Sequence, residues 1–168
     1  NGDGNILEGN RIGTNATGDQ PIKNKGYAIR VIGATGNKIG GATVGAGNLL
    51  SGNGRGVELD DDAPGNFLQG NLIGLAADGQ SPLGNNDVGL DVRSAANLIG
   101  GTAPNAGNVI ASNQSYGIAL NGASATGNVV EGNKIGTAID GSTLRGNYYG
   151  ILFYGASGNT IGGTDPGA

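Results

Sequence analysis

The chain has 168 residues, of which 37 are glycine and 21 asparagine, and its 13 acids against 9 bases leave a net charge of −4. Glycine and asparagine are poor helix formers that favour turn conformations, so this composition excludes a helical bundle or a doubly wound α/β domain, and the absence of a three-residue glycine period excludes collagen. With no run of lysine or arginine and no apolar stretch near the ~18 residues of a membrane span, neither nucleic acid nor a membrane span is expected, and no signal peptide is read.

In chain order the first phrase is GNILEGNRIGT from Gly4, which recurs as GNFLQGNLIGL from Gly65 and GNVVEGNKIGT from Gly127. A second phrase alternates with it: GNKIGGATVGAGNLLSGN from Gly36, NLIGGTAPNAGNVIASN from Asn97 and GNTIGGTDPGA from Gly158. Half-repeats of roughly 30 residues follow from this alternation. Each contains a short strand-like phrase of period two: GYAIRV at Gly26, GVELD at Gly56, GLDVR at Gly89, GIALN at Gly117 and GILFY at Gly150. Two further short strands flank the Asn-x-Ile/Val steps, as at Asn66–Leu68 and Asn71–Ile73. Three strands per repeat, broken by Gly and Asn, predict an all-β fold: a right-handed parallel β-helix, a three-faced β-solenoid of about five coils spanning residues 1–168.

Stacking coils ~4.8 Å apart places like residue on like and pairs the backbone between coils. The expected inward columns are Tyr27, Val57, Leu90, Ile118, Ile151 and Ile29, Leu59, Val92, Leu120, Phe153. Asn5, Asn37, Asn66, Asn97, Asn128 and Asn159 are expected at a corner, each amide bonding its counterpart in the next coil as a structural ladder. The insertions NATGDQPI, AADGQSPL and AIDGSTL, and the GTAPNA-like segments, read as loops projecting along two flanks. The chain opens at a second-strand phrase and stops within a coil without a visible cap. It is therefore expected to be a window of a longer array or an open-ended fibre subunit.

These phrases resemble the right-handed parallel β-helix repeats of the pectate-lyase-like superfold, and in particular secreted bacterial proteins whose coils repeat GNxIGT, GNxIGGT and GIxL. The resemblance covers essentially all 168 residues. It implies an extracellular or cell-surface location and a fold that hosts lyases, hydrolases, epimerases, adhesins and structural arrays, so function has to be argued from a site.

With no Cys, His, Met or Trp, thiol nucleophiles, disulfides, Cys/His zinc sites and imidazole bases are excluded. The outward positions of the period-two strands form the columns Ala28, Glu58, Asp91, Ala119, Leu152 and Arg30, Asp60, Arg93, Asn121, Tyr154. Glu58, Asp60 and Asp91 on one face make a candidate Ca²⁺ cluster, calcium being the one cofactor considered, with Asp61 and Asp62 adding negative charge at the next corner. In lyases of the resembled superfold a calcium-acidic cluster on this face binds a uronate and an arginine is the base, which implies Arg30 or Arg93 in that role. The alternative is a surface ladder of ion pairs, since Arg30, Asp60 and Arg93 alternate in sign. Against an enzyme stand the short, near-identical insertions and the missing His.

Tyr148, Tyr149 and Tyr154 gather near the last strand phrase, either to bind a sugar ring or another chain or to fill the core. The sequons at Asn15 and Asn113 are expected by chance in so Asn-rich a chain. The function expected is that of a structural, filament- or stalk-forming and adhesive solenoid, with copies of itself stacked end to end and a polysaccharide as partners. The alternative is a Ca²⁺-dependent lyase or epimerase acting on an acidic polysaccharide.

Overall fold

The structure, a computed structural model, describes residues 2–168. Among these residues sixteen strands follow one another in a strict cycle of three. The first coil carries β1 (Ile6–Leu7), β2 (Arg11–Ile12) and β3 (Tyr27–Val31), and the second β4 (Lys38–Gly40), β5 (Leu49–Leu50) and β6 (Arg55–Leu59). The third holds β7 (Phe67–Gln69), β8 (Leu72–Ile73) and β9 (Leu90–Val92), and the fourth β10 (Leu98–Gly100), β11 (Val109–Ile110) and β12 (Tyr116–Asn121). The fifth holds β13 (Val129–Glu131), β14 (Lys134–Ile135) and β15 (Tyr149–Tyr154), after which β16 (Thr160–Ile161) returns to the first face.

Each of β1 to β13 pairs in parallel with the strand three places on, so the chain forms three parallel sheets: β1-β4-β7-β10-β13-β16, β2-β5-β8-β11-β14 and β3-β6-β9-β12-β15. No helix occurs among the described residues. Successive partners on the first sheet, Ile6, Lys38, Phe67, Leu98, Val129 and Thr160, lie 29 to 32 residues apart. The fold is a β-solenoid of about five turns, as the repeat requires: no single coil can bury its apolar side chains, and stacked coils can.

Four apolar columns fill the interior. Ile39, Leu68, Ile99 and Val130 come from the first sheet, and Leu50, Ile73 and Ile110 from the second. The third contributes Val57, Leu90, Ile118 and, two residues on, Leu59, Val92, Leu120. Full burial of each such side chain contributes about 1.5–3 kcal/mol before the cost of ordering it.

Two expectations are corrected here. In the first coil it is Ile29, not Tyr27, that stands opposite Val57, and Arg30 stands opposite Glu58 rather than Asp60. The register is fixed by an asparagine at the corner before the third sheet: the inward residue follows it by four or five positions, as in Asn24 to Ile29, Asn53 to Val57 and Asn113 to Ile118. Placing Tyr27 inward would leave only three, too few to turn that corner.

The long loops do not project. Each closes with an antiparallel bridge, Thr14 to Pro21, Leu75 to Pro82 and Thr137 to Leu144, and touches the loop two coils away through Ala77 N–H to Gly18 O (2.9 Å) and Ile139 N–H to Gly79 O (3.0 Å). They lie over the outer side of the second sheet, where Leu75 is buried with Val109, Ala111 and Leu72. The cause is in the strands themselves: the outward column Arg11, Leu49, Leu72, Val109, Lys134 is apolar in its middle and gains by being covered.

Candidate functional site

Asparagine side chains mark all three corners. On the first, the expected ladder runs Asn5, Asn37, Asn66, Asn97, Asn128, Asn159: each Oδ1 accepts the backbone N–H of the asparagine one coil back, at 2.8–3.0 Å. Most of the amides also donate to the next Oδ1, as Asn37 does to Asn66 (2.8 Å) and Asn97 to Asn128 (2.9 Å). Asn66 instead turns its amide to the Ala63 carbonyl (2.7 Å).

Two further ladders went unread in the sequence. Asn10, Asn48, Asn71, Asn108 and Asn133 line the second corner, and Asn24, Asn53, Asn85, Asn113 and Asn147 the third. The Gly-Asn pair that closes the turn before the second-sheet strand in every repeat was the signal for the second. Asn113 is buried within its ladder in the folded chain. Asn15 uses its Oδ1 to accept the backbone N–H groups of Gly18, Asp19 and Gln20 within its own loop.

The outer face of the third sheet carries the charged residues singled out by the sequence. Its column runs Arg30, Glu58, Asp91, Ala119, Leu152. Glu58 is only 1% exposed. It accepts from Arg30 Nε and from the Tyr27 hydroxyl, and Arg93 Nε lies 3.7 Å from its Oε2. Arg30 Nη2 also reaches Asp60 Oδ2 at 2.6 Å, and Arg93 binds Asp91 Oδ2 through Nη2 at 2.9 Å. Beside them Arg55 donates to the Tyr27 hydroxyl (2.7 Å) and pairs with Asp87 (2.8 Å), its guanidinium 5.3 Å from the centre of the Tyr27 ring.

Burial of two carboxylates here is tolerated because guanidiniums and a phenol meet them; unpaired, each would cost several kcal/mol. The electrostatics follow. Burial pushes the Asp91 carboxyl above its ordinary range, against the pull of Arg93. Burial and the hydrogen bond to Glu58 raise the Tyr27 phenol. Hydrogen bonding to Glu58 holds the Arg30 proton more tightly, and Asp91 does the same for Arg93. An arginine acting as a base has to give up that proton, so this surrounding works against the role that the resemblance implies for Arg30 and Arg93.

Glu58 and Asp91 are neighbours across adjacent coils, but each faces guanidinium nitrogens, as does Asp60. Among the described residues no group of three or more acids gathers with the geometry to hold a metal ion. The tyrosines all lie outside the core: Tyr148 is 73% and Tyr154 70% exposed. Tyr149 stacks on Tyr116 with ring centres 5.5 Å apart and meets Tyr148 edge-on at 4.7 Å. Tyr116, Tyr148 and Tyr149 form an aromatic ridge at the start of the last strands of this sheet, and Tyr154 lies at the far end of β15. Among the described residues no helix is long and apolar enough to cross a membrane.

No family model, curated protein or solved structure matches the chain.

Proposed function

We propose that the chain is a structural element of an extracellular or cell-surface protein, a stiff rod that builds a filament or stalk by end-to-end stacking of coils and that adheres through what it displays. The observation that carries this reading is the set of three asparagine ladders, one at each corner, running from coil to coil. A coil built this way offers the next one a full set of backbone donors and acceptors and three aligned amides, so addition of a coil, from the same chain or another copy, repeats bonds already made.

The alternating loops strengthen the rod. Because each long loop bonds its counterpart two coils away, sliding of one coil against the next strains both the sheets and the loop layer. The exposed tyrosine ridge gives the rod an adhesive edge, amphipathic rings being suited to contact with sugar rings or another protein surface.

Electron microscopy of the native, full-length protein under non-denaturing conditions, with antibody labelling of intact cells, tests the reading. Rods one solenoid wide at the cell surface are expected. Compact particles confined to the cell interior contradict it.

A further inference from the structure

On the outer face of the third sheet the aromatic ridge borders a hollow. Tyr149 covers one face of the Tyr116 ring, the two planes 16° apart, and Tyr116 on its other side lines a cavity of about 190 Å³. Ala119 and Leu152, partners in the outward column, give that cavity an apolar floor, and Arg55, Asp87, Arg93 and Asn121 supply its polar wall. At about 30 Å³ per water the space holds roughly six waters, the room that a single six-membered ring with its hydroxyl groups takes up.

The charges of the wall are balanced. Arg55 pairs with Asp87 at 2.8 Å and Arg93 with Asp91 at 2.9 Å, and Asp91 is itself closed off and does no more here than hold Arg93. What remains is hydrogen-bonding capacity of both kinds. Arg55 uses Nε on Asp87 and Nη1 on the Tyr27 hydroxyl, which leaves Nη2; Arg93 uses Nε and Nη2 on Asp91 Oδ2, which leaves Nη1. Asp87 meets Arg55 through Oδ2, which leaves Oδ1, and the Asn121 amide carries both donors and an acceptor. The side chains of Arg55, Asp87 and Arg93 are between a third and a half exposed, so a ligand can reach them from water. An anion placed there meets Asp87 and a cation meets two guanidiniums, so neither gains from the pair as a whole. Hydroxyl groups both donate and accept, and use the two kinds of atom without adding charge.

We propose that this cavity binds an uncharged pyranose ring, one residue of a neutral glycan. The ring lays a C–H face against Tyr116 and passes over Ala119 and Leu152, while its hydroxyls accept from Arg55 Nη2, Arg93 Nη1 and the Asn121 amide and donate to Asp87 Oδ1. An aromatic surface for the apolar face and a few convergent polar groups for the hydroxyls are what such a two-natured ligand needs. Tyr149 and Tyr148 continue the ridge beyond Tyr116, next to where the neighbouring sugars of the glycan pass. The proposal rests on the reading of this ridge as the adhesive edge of the rod, and it selects a sugar over a protein surface as the partner.

The test is an NMR titration of the ¹⁵N-labelled full chain with methyl β-D-glucopyranoside, methyl β-D-galactopyranoside and methyl α-D-mannopyranoside, each beside the methyl glycoside of its uronic acid as a charged probe of the same shape. Saturable shifts centred on the amides of Tyr116, Gly117, Ala119 and Asn121 are expected with at least one neutral sugar, and binding at least fivefold weaker with its uronide. Tyr116→Ala is expected to lower the affinity at least tenfold while the rest of the spectrum stays folded, and Leu144→Ala, on an exposed loop elsewhere, to leave it unchanged. Asp87→Asn, which leaves Arg55 without its counter-charge, is expected to turn the preference towards the uronide. No shifts with any neutral glycoside, a uronide bound as tightly as its parent sugar, or full affinity in Tyr116→Ala overturns the proposal. Rods at the cell surface that ignore every glycoside remove the site and leave the rod; glycoside binding by a chain that forms no rods removes the rod and leaves the site.

Discussion

Arg30 and Glu58 face each other across adjacent coils, the arginine half exposed and the carboxylate closed off from solvent. The two ends of this pair are therefore unequal. Glu58→Ala removes the acceptor of Arg30, Tyr27 and Arg93 together but leaves no buried charge, because both arginines reach water. Arg30→Ala leaves the closed-off Glu58 carboxylate with only Tyr27 and Arg93, and a buried charge short of a partner is the costlier state, so this variant is expected to be the less stable of the two. Urea unfolding of both variants checks the order; a larger loss in Glu58→Ala would mean that Tyr27 and Arg93 suffice to hold the carboxylate.

The ladders make a similar asymmetric demand. Asn97→Ala strips the buried Asn66 N–H of its acceptor at 2.8 Å and Asn128 Oδ1 of one of its two donors. Leaving a buried donor unsatisfied costs about 1–3 kcal/mol, so the variant should unfold at clearly lower denaturant. Asn86, exposed and outside the ladders, serves as control: Asn86→Ala should change stability by no more than about 0.5 kcal/mol.

Close approach of coils fixes some glycines. At Gly100, φ is +89° and a Cβ would run into the Glu131 carbonyl oxygen of the next coil. Gly100→Ala combines left-handed strain with that collision and is expected to cost more than about 1–2 kcal/mol, read as a fall in melting temperature.

Acid titration should show two opposite slopes. Burial lifts the Asp91 carboxyl above the unfolded value of 3.8, so the folded chain holds this proton more tightly. Stability from this group is present below 3.8 and falls as pH rises through the folded value; Asp91→Asn removes that fall. The loop residue Asp140 behaves in reverse. The Thr143 hydroxyl and the backbone N–H groups of Thr143 and Ser142 hold its carboxyl far below 3.8, so its contribution is present above 3.8 and is lost as pH falls through the folded value. Unfolding curves collected from pH 7 down to the lowest pH at which the chain stays folded, for the parent, Asp91→Asn and Asp140→Asn, separate the two.

The coil number, the three faces and the first ladder were legible because Asn37, Asn66, Asn97, Asn128 and Asn159 each directly precede a strand of constant spacing. The third ladder was not, since Asn24, Asn85 and Asn147 each follow a loop of different make-up that hides the period. Without it the first coil slid by two residues and Tyr27 was read as core. The charged face was legible as alternation, but not as burial. Glu58 is covered by Tyr27, Arg30 and Arg93 reaching over it from neighbouring coils, a property of three dimensions that no single strand records. The loops were misread for a related reason: the apolar Leu49, Leu72 and Val109 they cover lie on the outside of strands only two residues long, too short to display an alternation.

Hydrogen exchange of the asparagine side-chain amides, followed by NMR on the full chain, tests most directly whether the corners lock the coils into one rod. The account requires the Nδ2 protons of Asn48, Asn71, Asn85 and Asn108 to exchange far more slowly than those of exposed Asn86, and protection to fall along a whole ladder in Asn97→Ala. Exchange of the ladder amides at the rate of Asn86 would contradict it.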